Sequence, residues 1–178
     1  GLRARLGLED RFVVLGVANV WERRQGLAYL LWLAEKLPAD CRVVLIGLSG
    51  RQKRRLPEKV LGISRTADTE ELAGYYSMAD VFVNATLEDN FPTTNLEALS
   101  CGTPVITFDT GGSPECLDES CGRVVPKGDK RALLEAVLLE KQEPRGQKDS
   151  LKRAEQYRKE DRFREYAELY RRLAGQGE

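Results

Sequence analysis

Short apolar runs of strand type alternate with helix-patterned segments along this chain, and that alternation leaves few folds open. Phe12–Val17 (FVVLGV) and Arg42–Gly47 (RVVLIG) are nearly uninterrupted apolar stretches, the pattern of strands buried on both faces of a parallel sheet. Val60–Ser64, Asp80–Asn84, Val105–Thr107 and Gly122–Val125 are further strands. Between them lie helices. Gly26–Leu37 turns Leu27, Leu30, Leu31 and Ala34 to one side before Pro38 stops it. Asp68, with Glu71 three residues on, caps a helix that points Leu72, Tyr75 and Ala79 inward. Lys130–Glu140 is helical. So is the charged stretch 148–173, with Tyr157, Phe163, Tyr166, Leu169 and Tyr170 as its apolar points. The expected fold is α/β: a doubly wound, six-stranded parallel sheet of Rossmann-like type, with right-handed crossovers. Residues 1–11 read as a lead-in, 12–142 as the domain, and 143–178 as carboxyl-terminal helices.

In such a sheet a ligand sits beyond the strands' carboxyl ends. The stretch from Glu88 to Glu115 supplies chemistry there. Polar Glu88-Asp89-Asn90 follows a strand, and Phe91-Pro92-Thr93-Thr94 opens a helix, with Leu96, Ala98 and Leu99 on its apolar side. Pro suits a first turn because its missing N–H would have had no partner there. Gly102 and Pro104 stop the helix, and Gly111-Gly112 makes a permissive loop after the next strand. A helix that opens directly after a parallel strand aims free N–H groups and partial positive charge at the sheet edge, where phosphate binds readily. Glu97 lies one turn inside, on the face of Thr93 and Thr94, and suits a vicinal diol such as a ribose. Asp89, before the helix, can accept from a second polyol. Two acids with a helix start between them fit a sugar–diphosphate–ribose ligand.

Composition closes other routes. The 178 residues suffice for one well-buried domain, and 28 Lys+Arg against 28 Asp+Glu leave no net charge. No nucleic-acid partner and no general affinity for membrane surfaces is expected. No apolar run approaches the ~20 residues of a membrane span. The chain opens on Gly1-Leu2-Arg3 without a signal-peptide pattern, and is expected to be a fragment or processed piece of a cytoplasmic protein. Its four cysteines form no Cys-x-x-Cys, and there is no His, so no zinc site is expected. Cys116 and Cys121 are either a pair or two free thiols, the second being the ordinary state in cytosol. Without His, catalysis falls to carboxylates, to substrate groups, or to a partner domain. No Gly-x-Gly-x-x-Gly follows the first strand, no P-loop pattern occurs, and no Asp-x-Asp suggests a metal-chelated diphosphate.

The central segment resembles the donor-binding motif of the retaining nucleotide-sugar glycosyltransferases of the GT-B fold, family 4 or group 1. It carries Asp89-Asn90-Phe91-Pro92, Glu97-Ala98-Leu99, Gly102-Thr103-Pro104-Val105-Ile106 and Gly111-Gly112-Ser113-Pro114-Glu115 in the family's order and spacing. The first acid, usually Glu, is Asp89 here, with Glu88 beside it; the Asp-Asn-Phe-Pro form resembles enzymes of bacterial exopolysaccharide assembly. The resemblance implies one half of a GT-B fold that binds a nucleoside diphosphate sugar without a metal or other cofactor. Asp89 would hold sugar hydroxyls, supported by Asn90 and Phe91, and Glu97 the ribose. Thr93 and Thr94 would donate to phosphate, and Arg65 and Thr66 would lie near the base, or else form a plain turn. The missing amino-terminal half would bind the acceptor and carry any peripheral membrane association. Residues 160–173 would then lack a packing partner.

The loop after the first strand is where the family places an Arg and a Lys on the pyrophosphate. Here it reads Val17-Ala18-Asn19-Val20-Trp21-Glu22-Arg23-Arg24-Gln25-Gly26, with Gln25 where Lys is usual and Ala18-Asn19 where Arg is usual. Arg24, or else Arg23, supplies the cation, or both are solvated helix-start charges. Arg51-Gln52-Lys53-Arg54-Arg55 is either a solvated loop or a contact for an anionic partner. Asn84-Ala85-Thr86 matches a glycosylation acceptor by coincidence. Two functions remain open: a glycosyltransferase half, with Asp89 and Arg24 as its catalytic pair, and a non-catalytic nucleotide-binding module.

Overall fold

The computed structural model describes residues 1–157 and 161–175, the side chains of 161–164 excepted. The strands are β1 (Phe12–Val17), β2 (Cys41–Ile46), β3 (Val60–Ile63), β4 (Val81–Asn84), β5 (Val105–Phe108) and β6 (Gly122–Val125). The helices are α1 (Leu2–Leu6), α2 (Leu27–Lys36), α3 (Gly50–Lys53), α4 (Thr69–Met78), α5 (Thr93–Ser100), α6 (Lys130–Gln142), α7 (Gln147–Glu155) and α8 (Asp161–Gly175). Short 3-10 turns stand at Arg23–Gln25 and Ser113–Cys116. All six strands are parallel, in the order β3-β2-β1-β4-β5-β6. This is the expected doubly wound sheet. Strand order reverses between β1 and β4, where Val14 pairs with Val43 on one side and Val81 on the other.

Alternation along the strands builds two cores. Val13, Leu15, Phe82 and Val105 face α4, α5 and α8, whereas Val14, Val81, Val83 and Ile106 face α2 and α6. Tyr76 of α4 is fully buried in the first core, edge-on to Phe82 at 5.5 Å and to Tyr166 of α8 at 6.1 Å. Inward positions read from helical spacing missed Tyr76, because it follows Tyr75 directly and both tyrosines are buried.

Residues 1–11, expected as a lead-in, carry α1 and the buried Leu8. Asp80 ties them down. Its carboxylate accepts from the Arg3 guanidinium and from the Val13 N–H, each at 2.7 Å. The basic loop contains α3, capped where the Ser49 hydroxyl accepts from the Gln52 N–H at 3.2 Å. Of residues 160–173, residue 160 lies outside the described residues, but α8 does find packing in this chain. Tyr166, Ala167 and Leu169 are buried, and α8 packs on α4 and α5. The side chain of Phe163 lies outside the described residues. All four cysteines are buried free thiols, with Cys116 and Cys121 each pushed up to about 11 by burial. Among the described residues, no helix is long and apolar enough to cross a membrane.

Candidate functional site

A cleft of about 720 Å³ opens at the carboxyl edge of the sheet, where strand order reverses. Its first wall is the β1 loop, Val17 to Trp21 with Arg24 and Gln25. Its second is the end of β4 and the loop into α5, including Asn84, Thr86 and Glu88 to Thr94.

The β1 wall is held from outside its own sequence. Trp21 is 6% exposed, and its indole N–H donates to the Ile46 carbonyl at 2.9 Å. The Gln52 amide donates to the Trp21 carbonyl at 2.8 Å. Glu22 and Gln25 cap the 3-10 turn reciprocally, with the Glu22 N–H donating to Gln25 Oε1 at 3.0 Å. The Arg24 carbonyl accepts from the Leu87 N–H at 2.7 Å, which links the two walls. The Arg24 side chain stays 61% exposed beside Glu22, at 3.5 Å. Gly26 has a φ of 78°, and a Cβ there would stand 1.9 Å from the Ala85 carbonyl oxygen, so only glycine lets this loop pass behind β4.

The second wall meets the glycine loop. Asp89 Oδ1 accepts from the Phe91 N–H at 3.2 Å, and the Gly112 N–H donates to the Asn90 carbonyl at 3.0 Å. Gly111, at φ 50°, lies so close that a Cβ would be 1.7 Å from the Asp89 carbonyl oxygen. Phe91 is 36% exposed at the rim. No side chain caps α5, and Thr93 and Thr94, at the positive end of the helix where amides lack intrahelical partners, line the cleft. Asn84 and the fully buried Asn95 lock β4 to α5, Nδ2 to Oδ1 at 3.0 Å. Sequence reasoning saw Asn84 only as a strand end and a chance glycosylation match; a polar residue at the carboxyl end of a buried strand was the available signal.

Asp89, Asn90, Phe91, Thr93, Thr94 and Arg24 thus gather around one cleft. Glu97 does not line it. The residue is 7% exposed, and its carboxylate accepts from the Tyr76 hydroxyl at 2.8 Å, on the α4 side of α5. Burial, reinforced by this carboxylate, holds the Tyr76 hydroxyl well above the usual phenol range and keeps it a donor. The helical spacing that set Glu97 on the face of Thr93 fixes only its turn; the neighbouring α4 decides where its carboxylate lies. Arg65 and Thr66, in the turn after β3 that leads into α4, also stand outside the cleft lining. Among the described residues, no group of three or more His, Cys, Asp or Glu side chains could hold a metal ion. The arrangement can receive an anion at the start of α5, with a guanidinium opposite and carboxylates beside it for hydroxyl groups.

The fold is shared with GT-B glycosyltransferases, and the chain belongs to the group 1 glycosyl transferases: residues 11–139 match that family. It is 33% identical over 133 residues to a D-inositol 3-phosphate glycosyltransferase of Corynebacterium jeikeium, covering 65% of this chain and 32% of that protein. It is 27% identical to an alpha-galactosylglucosyldiacylglycerol synthase of Streptococcus pneumoniae, covering 99% of this chain and 50% of that protein. The chain therefore spans about a third to a half of the length of these relatives. Among solved structures, a sucrose-phosphate synthase from Thermosynechococcus elongatus superposes with a TM-score of 0.76 at 27% identity, over 98% of this chain and 49% of that one. Anabaena HepE, solved with UDP-glucose, shares the fold at a TM-score of 0.75 and 18% identity, over 98% of this chain and 51% of that one.

Proposed function

We propose that this chain is the donor-binding half of a retaining glycosyltransferase, which transfers a sugar from a nucleoside diphosphate to a glycan or lipid-linked acceptor bound by an amino-terminal half. One observation carries the reading: the uncapped start of α5 opens into the cleft between Arg24 and Asp89. The diphosphate lies against the Thr93 and Thr94 amides, with Arg24 as the cation that stabilises the leaving group as charge develops. Asp89 accepts from sugar hydroxyls, and the backbone at Asn90 and Phe91 lines the same end. The nucleoside runs the other way, toward Glu97 and the turn of Arg65 and Thr66. No metal ion or other cofactor enters this scheme, and EDTA leaves binding unchanged. Peripheral membrane contact falls to the acceptor half, on the cytoplasmic side. The relatives support an acceptor with a lipid or polyol part, since two are named for diacylglycerol and inositol phosphate products or substrates.

Calorimetry with UDP, UDP-glucose, GDP and GDP-mannose tests the donor site. At least one sugar nucleotide binds, and Asp89→Ala weakens it more than it weakens the bare nucleotide; binding of none of the four overturns the assignment. A second reading, a nucleotide-binding module without transfer, draws on Gln25, whose side chain is spent on capping Glu22 where the family has a lysine. Joining the chain to its acceptor half and assaying transfer separates the two.

A further inference from the structure

The glycine loop that backs Asp89 and Asn90 is itself gripped from behind by α7 and the residues just after it, beyond the family-matched segment 11–139. Arg153 Nε donates to the Cys116 carbonyl at 2.9 Å, and its Nη2 to the Glu115 carbonyl at 2.8 Å. The Tyr157 hydroxyl donates to the same Glu115 carbonyl at 2.9 Å. The Tyr157 ring meets the Phe91 ring at 6.2 Å, tilted by 47°, and the Arg153 guanidinium lies 5.8 Å from its centroid. Arg153 is fixed in turn by Gln156 Oε1 at 2.7 Å and stands 3.9 Å from the Asp118 carboxylate. From Glu115 the chain of contacts continues through the Glu115 N–H to the Gly112 carbonyl at 3.1 Å, and through the Gly112 N–H to the Asn90 carbonyl at 3.0 Å.

We infer that Arg153 and Tyr157 are positioning residues for the sugar end of the cleft. Neither lines it. Both hold the 112–116 turn, which sets the height of the 89–91 loop, and Tyr157 also fixes the Phe91 ring at the rim. Two hydrogen bonds converging on one carbonyl leave the turn a single seat, so the loop bearing Asp89 is presented in one position. The assignment to the sugar end rests on the donor reading above; the bracing itself does not.

Hydrogen exchange on the ligand-free 178-residue chain reads the bracing directly. Arg153→Ala and Tyr157→Ala speed exchange of the Phe91 and Gly112 amides by about five- to tenfold, as loss of one or two net hydrogen bonds implies. Amides of Val43 and Val44 in β2 change less. Tyr157→Phe keeps the ring against Phe91 and loses only the carbonyl bond, so it shows a smaller rise; it also serves should an alanine variant fail to fold. Unchanged Phe91 and Gly112 amides, or a rise no greater than in β2, overturn the proposal. Where the wild type binds a donor, the same variants weaken UDP-glucose or GDP-mannose about fivefold or more and the matching diphosphate less than twofold. Equal weakening of both overturns the sugar-end assignment. Failure of the wild type to bind any nucleotide sinks the donor reading and with it the sugar-end role, while the exchange result still decides whether the brace exists.

Discussion

The loop after β1 and the loop after β4 face each other across the cleft, yet they are held by different means. The β4 loop is braced by main-chain packing against the glycine loop at Asp89 and Asn90, by the Asp89 carboxylate on the Phe91 N–H, and through Arg153 and Tyr157 behind that glycine loop. The β1 loop is braced by remote residues, with Trp21 reaching the Ile46 carbonyl and Gln52 reaching Trp21. The charges differ as well. The β4 wall offers amide dipoles and two acids, and the β1 wall offers one exposed guanidinium. A cleft assembled this way fixes the start of α5 and leaves the opposing guanidinium exposed.

The largest effects come from filling the close approaches behind each wall. Gly111→Val forces an L side chain into left-handed backbone against the Asp89 carbonyl, and should cost roughly 3 kcal/mol or more. Gly26→Val should cost as much and disturb both walls, because its Cβ would meet Ala85 at the end of β4. Thermal melts together with nucleotide titration check this. The comparison breaks if Gly111→Val leaves binding intact in folded protein.

Next is the cation. A charged hydrogen bond to phosphate contributes about 1.5–3 kcal/mol, and the exposure of Arg24 puts its share at the low end, so Arg24→Ala should weaken nucleotide binding by about tenfold. Stability should hardly change, since its partner Glu22 is as exposed as Arg24 itself. Added salt should narrow the gap between wild type and variant. A smaller loss follows from Trp21→Phe, which removes one buried donor and leaves the Ile46 carbonyl without the indole, for about 1 kcal/mol of stability. Because Trp21 props only the β1 wall, exchange at Phe91 should stay unaltered in that variant.

The same contrast explains what could be read from the sequence. Strand identity and the helix start at Thr93 follow from local pattern: unbroken apolar runs, Pro92, Gly102, and a pair of glycines at a set distance. These are short-range signals, and the sheet, the α5 start and the gathering of Asp89 with Thr93 and Thr94 were legible. Glu97 was legible as to turn but not as to neighbour. Its burial against Tyr76 depends on where α4 packs, which is set by contacts twenty residues apart. Likewise nothing around Gly1–Arg11 announces that Arg3 will find Asp80, 77 residues away. Arg153 and Tyr157 were visible only as a charge and an apolar point on a helix, since their partners are main-chain carbonyls that carry no residue identity.

The smallest change is the most discriminating about the β1 wall. Gln25 lines the cleft but turns its Oε1 back to the Glu22 N–H at 3.0 Å. Gln25→Lys gives up that reciprocal cap, which at an exposed turn amounts to about 0.5 kcal/mol, a melting shift of at most a few degrees. In exchange it sets a second cation beside Arg24 on the cleft lining. If the diphosphate lies where the start of α5 would place it, affinity for the nucleoside diphosphate should rise about threefold to tenfold at low salt, and the gain should fade as salt is added. A gain that persists unchanged at high salt would point to a contact other than phosphate. No gain at all, in protein of undiminished stability, would mean that the β1 loop does not overlook the anion, and the two loops would no longer be walls of one site.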